Sequence, residues 1–198
     1  MTHQIEMIKR LREETGAGVL ECRTAWEQSG MLYAAALALL REKAAAEAAR
    51  RADHQASQGR LEVYSHANGR IGVMVEINCE TDFAAHSQAF RSFAHEIALQ
   101  IAAADPRYIR EEEIPAEFLE KETQKALVRA RSEGKPEAVI PRMVSGMIGK
   151  TLDQQVLLRQ AYIRDETLSI AQLLNQASAN VGERIVIRRF IRWELDES

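Results

Sequence analysis

The chain has 198 residues and a formal net charge of −3, with 46% apolar and 28% charged residues. Because the charges nearly balance, no overall basic field is available to hold nucleic acid or an anionic membrane, and neither is expected as a direct partner. The longest apolar run, from Met31 to Leu40, is too short to span a bilayer. No cleavable signal or transit peptide is expected before the first helix, which predicts a cytoplasmic protein.

The two cysteines, Cys22 and Cys79, are far apart in the sequence and form no CxxC pair. No histidine stands near either of them at the spacing of a metal site. Neither a disulfide framework nor a zinc site is therefore predicted. We expect two buried thiols, no metal and no cofactor.

Residues 1–50 are predicted to form a bundle of three short helices. The first runs from His3 to Glu14, and the glycines of the Thr15–Gly18 segment end it and turn the chain. The third runs from Met31 to about Ala48. The second helix is expected to pack through one face, formed by Val19, Cys22, Ala25 and Trp26. A bundle of this size is small enough to be only marginally stable alone.

Residues 51–60 are predicted to be a helical linker, and residues 61–198 an α+β core. The alanine-rich end of the third helix has high helix propensity and is expected to continue as far as Gly59. Its basic residues are expected to form a solvated face, because aromatic residues are not interleaved with them.

The core opens with an antiparallel hairpin. Residues Leu61–His66 and Ile71–Cys79 alternate with period two, and the Asn68-Gly69 pair between them is the strongest short hairpin signal. The second strand is expected to bury one face, formed by Ile71, Val73, Val75, Ile77 and Cys79. Apolar residues at helical spacing then predict a helix that lies across the hairpin. Its packing residues are Phe90, Phe93, Ala94, Ile97, Ala98 and Ile101.

Four further elements are predicted in the rest of the core. A polar helix runs from about Ala116 to Arg131 and stops at Gly134, and a helix runs from Leu168 to Ala179. Pro141 either begins or kinks another helix. The last strand runs from Ile185 to Leu195. It is expected to place on one face Ile185, Ile187, Ile191, Trp193 and Leu195.

The segment Ile77–Ala85 carries the main functional signal. It passes from strand to helix, and at the junction a carboxylate, Asp82, stands beside a large apolar ring, Phe83. Such a pair suits a projecting tip that enters another surface. By residue type alone, the commoner alternative is that Asp82 caps the helix and Phe83 packs in the core.

The hexapeptide Asn78-Cys79-Glu80-Thr81-Asp82-Phe83 resembles the signature of the elongation factor Ts family. Three further motifs agree in the same order: Ile8–Gly18, Leu40–Lys43 and Gly134–Glu137. Single matching residues continue downstream, among them Gly146, Lys150 and Asp165. The resemblance runs nearly end to end and is to the short form with a single core unit. It implies a ubiquitin-associated-like helical domain followed by a core of a small antiparallel sheet packed with helices.

The resemblance also implies a function. Members of the family bind elongation factor Tu·GDP, disturb its magnesium site and promote GDP release, so that GTP can bind during translation elongation. It implies a site for this action in the core, formed by Thr81, Asp82, Phe83, Ala84 and Ala85. A second contact in the N-terminal module would include Arg12, Gly16 and Val19. Members of this length associate as homodimers through the core, and they work in the bacterial cytoplasm.

The chain departs from the family pattern at several positions. His86 and Met147 stand where the family usually has a basic residue, Pro141 falls within a helix, and Ala161-Tyr162 replaces a proline-phenylalanine pair. These departures keep a second hypothesis open, in which the chain is an interaction module without exchange activity. An enzyme is disfavoured. It would have to recruit Cys79, Asp82, His86 and His95, yet Cys79 belongs to a buried strand face with no base placed for it.

Overall fold

The computed structural model describes residues 2–51, 53–133 and 136–195. The chain divides into two compact units: the first comprises Met1–Leu99 with Ala171–Ser198, and the second comprises Gln100–Ile170. Within the described ranges, no helix is long and apolar enough to cross a membrane.

The described elements confirm the predicted α+β class, since N-terminal helices precede a small antiparallel sheet packed with helices. The helices are α1 (Thr2–Thr15), α2 (Val19–Gln28), α3 (Tyr33–Arg50), α4 (Asp82–His86), α5 (Gln88–Ala104), α6 (Ala116–Ser132), α7 (Ile140–Gln155) and α8 (Ile170–Val181). The strands are β1 (Gln58–His66), β2 (Ile71–Cys79), β3 (Ala161–Tyr162), β4 (Asp165–Ser169) and β5 (Val186–Glu194).

The three N-terminal helices of the first unit pack around a small core of their own. Its buried residues are Leu11, Cys22, Ala25, Trp26, Ala36 and Leu40. The prediction that Val19 shares this packed face is wrong, because Val19 is 55% exposed. It is the first residue of α2 and lies at the end of the helix, where the core around Cys22 and Trp26 does not cover it.

The described residues of the predicted linker, 51 and 53–60, do not continue helix α3. Helix α3 ends at Arg50 with Arg51 as its C-terminal cap, and β1 already begins at Gln58. The expectation that the helix continues to Gly59 is therefore wrong. Gly59 pairs with Asn78 across the sheet, so strand pairing decides its conformation and overrides the helix propensity that precedes it.

The sheet of the first unit has the order β1-β2-β5, with antiparallel neighbours. The predicted hairpin is confirmed, and its connection runs through Ala67, Asn68 and Gly69, all with positive φ. Asparagine and glycine adopt this left-handed backbone more readily than other residues do. On β2, Ile71 is half-buried, and the predicted inner face is otherwise fully buried. Its buried residues are Val73, Val75, Ile77 and Cys79.

Strand β5 does not keep the single apolar face that was predicted. Glu76 pairs with Arg189 and the next residue, Ile77, pairs with Ile187, so Arg188 forms a bulge. One inserted residue moves every following side chain to the opposite face. Ile185 and Ile187 are consequently buried. The later apolar residues of the strand are exposed on the other face, and these are Ile191, Trp193 and Leu195.

Helix α5 packs on the sheet as predicted. The ring of His95 contacts Tyr64 edge to face, and its Nδ1 lies 3.3 Å from Oε1 of Glu62 on β1. The predicted packing residues of the helix are all buried: Phe90, Phe93, Ala94, Ile97, Ala98 and Ile101.

The second unit contains a helical hairpin of α6 and α7 and a two-stranded sheet of β3 and β4. Pro141 lies in the first turn of α7, which confirms that the helix begins there. Gly134 and Lys135, where α6 was expected to stop, lie outside the described residues. Ser169 ends β4 and α8 begins at Ile170, so that helix starts two residues later than predicted.

Candidate functional site

The Asp82–Phe83 pair lies on a projection between β2 and α5. Helix α4 is a single turn of five residues that begins at Asp82. The side chain of Phe83 is 86% exposed, and Asp82 is exposed beside it. The alternative in which Phe83 packs in the core is therefore excluded for this chain. An exposed phenylalanine on a short helix is available to be buried by another surface.

The residues on the other side of α4 hold it against the sheet. Ala84 and Ala85 are buried, and α4 contacts both β1 and β2. Both alanines were included in the predicted partner site, and the structure places them on the inner side of α4, against the strands. Their small side chains allow the helix to lie close to the strands while Phe83 points away.

The N-terminal cap of α4 is Thr81 and not Asp82. The Thr81 Oγ1 accepts a hydrogen bond of 3.2 Å from the backbone N–H of Ala84. Asp82 lies within the first turn, where a carboxylate is favoured by the helix dipole. Its carboxylate is thus not occupied as the cap and remains exposed next to Phe83.

The carboxylates of Glu183 and Glu80 form hydrogen bonds that connect the residues just before α4 to the turn between α8 and β5. Glu183 accepts hydrogen bonds from the N–H groups of Glu80 (3.0 Å) and Thr81 (2.9 Å) and from the Thr81 hydroxyl (2.5 Å). In return, Oε1 of Glu80 accepts a bond of 2.7 Å from the N–H of Arg184. That bond, together with His54 beside the other oxygen, lowers the pKa of Glu80.

The residues considered for an enzyme have separate partners. The Cys79 thiol is fully buried and donates to the backbone oxygen of Thr81 at 3.1 Å. His86 Nδ1 lies 2.7 Å from the backbone oxygen of Asp82, and His95 is paired with Glu62. Burial, followed by the nearby Glu183 carboxylate, raises the pKa of Cys79 to about 11. A buried thiol with a raised pKa that donates to a backbone oxygen is a poor nucleophile.

We expect Cys79 to react with iodoacetamide at pH 8 at least about a hundredfold more slowly in the folded chain than in urea. Burial blocks access, and a pKa of about 11 leaves only about one thiol in a thousand ionised at that pH. Mass spectrometry of the labelled peptide measures the rate. Equal labelling of the folded and unfolded chains would show that the thiol is accessible.

A sequence profile of the family described as Elongation factor TS matches residues 20–197. The elongation factor Ts of Caldanaerobacter subterraneus subsp. tengcongensis is 47% identical over 192 residues, which cover 97% of this chain and 96% of that protein. Those of Carboxydothermus hydrogenoformans and Thermoanaerobacter sp. (strain X514) are each 46% identical over 192 residues. These alignments cover 97% of this chain, and 88% and 94% of the two relatives.

The chain belongs to the elongation factor Ts family. The resemblance predicted from the motifs is thereby confirmed over nearly the whole length. Family membership also supports the assignment to translation elongation and protein biosynthesis.

The N-terminal residues singled out by the elongation factor Ts resemblance lie together at one corner of the bundle. Arg12 is in the last turn of α1, and its backbone oxygen accepts a bond of 2.9 Å from the N–H of Gly16. Gly16 has a φ of +70°, which glycine adopts without strain. Val19 then opens α2. All three residues are exposed.

Glu183 is the residue of this site that the sequence did not reveal. It lies about 100 positions after Thr81, and no local pattern connects the two segments. The nearby sequence Asn180-Val181-Gly182 predicts only that a helix ends there. The carboxylate becomes significant once β5 pairs with β2 and brings the preceding turn to the base of α4.

Proposed function

We propose that the chain is a guanine nucleotide exchange factor that binds elongation factor Tu·GDP, disturbs its magnesium site and promotes GDP release, so that GTP can bind. The observation that carries the proposal is the Phe83 side chain, 86% exposed on a backbone held by hydrogen bonds on its N-terminal side. A partner that works in translation would be met in the bacterial cytoplasm.

The proposed action is a competition for binding energy. An exchange factor forms no covalent bond, but it must bind best to the partner that has lost its nucleotide. Coupling is reciprocal, so the factor and the nucleotide weaken each other's binding to the partner by the same free energy. Burying the Phe83 ring between helices of the partner would supply roughly 2–3 kcal/mol of the coupling. The insertion would displace the elements that position the magnesium ion.

Asp82 and Thr81 complete the proposed contact. The Asp82 carboxylate is exposed beside Phe83 and would add a charge or hydrogen bond next to the magnesium site. Thr81 is exposed at the cap of α4, within reach of the same surface. Ala84 and Ala85 would contribute by seating α4. A separate contact with the nucleotide-binding domain of the partner is proposed for Arg12, Gly16 and Val19.

The experiment that tests this function is stopped-flow release of a fluorescent GDP analogue from bacterial elongation factor Tu, with and without the chain. The proposal predicts release that accelerates with the concentration of the chain and then saturates. Binding of the chain without any acceleration would contradict it and support the alternative of an interaction module. The partner alone, in the same magnesium concentration, is the control.

We also propose that the chain forms a homodimer through the outer face of the β1-β2-β5 sheet. This outer face exposes several apolar side chains around the Glu76–Arg189 ion pair, and the side chain of Trp193 is 69% accessible. An exposed apolar sheet face is a common mark of a protein interface. Its exposed apolar residues are Leu61, Val63, Met74, Ile191, Trp193 and Leu195. A second copy is complementary to this face because a two-fold axis would set the same apolar surface against itself.

We expect Trp193→Asp to weaken the dimer at least about tenfold, because an interface aromatic is lost twice and a carboxylate is buried in its place. Sedimentation equilibrium of the two proteins over a range of concentrations measures the change. Val128→Asp is the matched control, since Val128 is similarly exposed on α6 in the second unit. A wild-type chain that remains monomeric at high micromolar concentration would refute this interface.

A further inference from the structure

We infer that Glu183 is a positioning residue for the projection that carries Asp82 and Phe83, and that it acts on Phe83 through the backbone of Glu80 and Thr81. The inference rests on the proposed exchange function and deepens it. In this proposal, a residue of the turn between α8 and β5 determines the direction in which the Phe83 ring points.

The Glu183 carboxylate is the common acceptor for the strand-to-helix junction. Its Oε2 atom accepts from two consecutive N–H groups, those of Glu80 and Thr81, and its Oε1 atom accepts from the Thr81 hydroxyl. Bonds to an ionised carboxylate are shorter and stronger than bonds between neutral groups. Three such bonds to adjacent donors fix both the position and the rotation of the peptide that leads into α4.

The same bonds orient the cap of the helix. The Thr81 hydroxyl donates its single proton to Glu183, which leaves its oxygen lone pairs to accept from the N–H of Ala84. Glu183 therefore fixes the direction of the hydroxyl that caps α4. Loss of the carboxylate would free this hydroxyl to rotate and weaken the cap as well as the junction.

Helix α4 needs support of this kind because it is short. Its five residues form about one turn, far below the length at which a helix is stable by itself in water. Phe83 is almost fully exposed, so its own side chain adds little packing to hold the helix. The direction of the ring is then determined by the packing of Ala84 and Ala85 and by the strand-to-helix junction, whose backbone is hydrogen-bonded to Glu183.

The attachment is reciprocal between the two segments. Glu80 accepts from the N–H of Arg184, and the Arg184 guanidinium donates to the backbone oxygen of His54 at 2.5 Å. Each segment thus offers a carboxylate to the backbone of the other. Because the two segments hold each other by these hydrogen bonds, Phe83 would lose less conformational entropy on insertion into a partner.

The test begins with the free chain. Glu183→Gln keeps the shape of the side chain but removes its negative charge, so the bonds from the two N–H groups lose their charge assistance and the NH2 group cannot accept from the Thr81 hydroxyl. We expect amide hydrogen exchange at Glu80 and Thr81 to become at least about tenfold faster, as measured by NMR. Glu120→Gln, an exposed substitution on α6, is the matched control. Unchanged protection of both amides would overturn the inference, whatever the exchange activity of the chain.

The second measurement separates positioning from general stability. At saturating concentration of the chain, Glu183→Gln is expected to lower the maximal rate of GDP release from elongation factor Tu by roughly tenfold. In a Phe83→Ala background the same substitution should change the rate little, because both changes act through one ring. A full tenfold loss in that background, or no loss in the wild-type background, would overturn the inference. A wild-type chain that does not accelerate release refutes the proposed exchange function itself and leaves Glu183 to be judged by amide exchange.

Discussion

Replacing Phe83 with alanine is expected to reduce the acceleration of GDP release at least about thirtyfold, while the urea midpoint of unfolding stays unchanged. The ring is 86% exposed in the free chain, so its removal takes away almost no packing within the chain. In the proposed complex the ring would be fully desolvated, and the 2–3 kcal/mol gained there corresponds to roughly thirty- to 150-fold. Stopped-flow release at saturating chain concentration measures the effect.

Two further variants make this result specific. Phe83→Leu retains an apolar side chain and should keep an intermediate rate, because part of the buried area remains. Val128→Ala removes another exposed apolar side chain, 67% accessible on α6, and should leave the rate unchanged. If Phe83→Ala exchanged nucleotide as fast as the wild-type chain, the ring would have no part in the action.

Gly59→Ala is expected to have the largest effect on stability, lowering the free energy of unfolding by about 2–4 kcal/mol. Gly59 has a φ of +150°, and a Cβ atom there would lie 2.1 Å from the backbone oxygen of Ile77 and 2.7 Å from Cα of Asn78. These are backbone atoms of the paired strand, so no side chain can move aside to relieve the clash. Urea unfolding followed by circular dichroism measures the change.

Gly72→Ala provides the control for that prediction. Gly72 lies in β2, and a Cβ atom there meets nothing within 4 Å. The substitution is therefore expected to change the free energy of unfolding by less than about 1 kcal/mol. Equal effects of the two substitutions would show that the close approach at Gly59 does not constrain the sheet.

Because Gly59 pairs with Asn78, its substitution by alanine should also lower exchange, by displacing the end of β2 that leads into α4.

Local signals predicted most of the fold. The Asn68-Gly69 turn and the alternation of β2 depend on neighbouring residues, and both are confirmed. The face of β5 depends on pairing with β2, and the bulge at Arg188 could not be derived from the alternation of its own residues. The length of α3 was overestimated for a similar reason, because pairing of the Gly59 region with β2 overrides helix propensity.

The candidate site was predicted in part. The motif located the tip at Asp82 and Phe83, and the strand-to-helix junction there is confirmed. Residue type alone favoured a buried Phe83, since capping and core packing are the commoner fates of such a pair. The ring is exposed because the opposite side of α4, with Ala84 and Ala85, packs against the sheet. The types of these residues alone do not predict which side of the helix is packed. The role of any of these residues in exchange stays a prediction.

The most direct test of the exchange function compares two affinities by isothermal titration calorimetry. The chain is titrated into elongation factor Tu that has been freed of nucleotide, and into the same protein saturated with GDP and magnesium. An exchange factor must bind the nucleotide-free form more tightly, and each 1.4 kcal/mol of coupling appears as about a tenfold difference in Kd. We predict a difference of at least about a hundredfold. Equal affinities for the two forms would contradict the account, because such a chain would not weaken the binding of GDP.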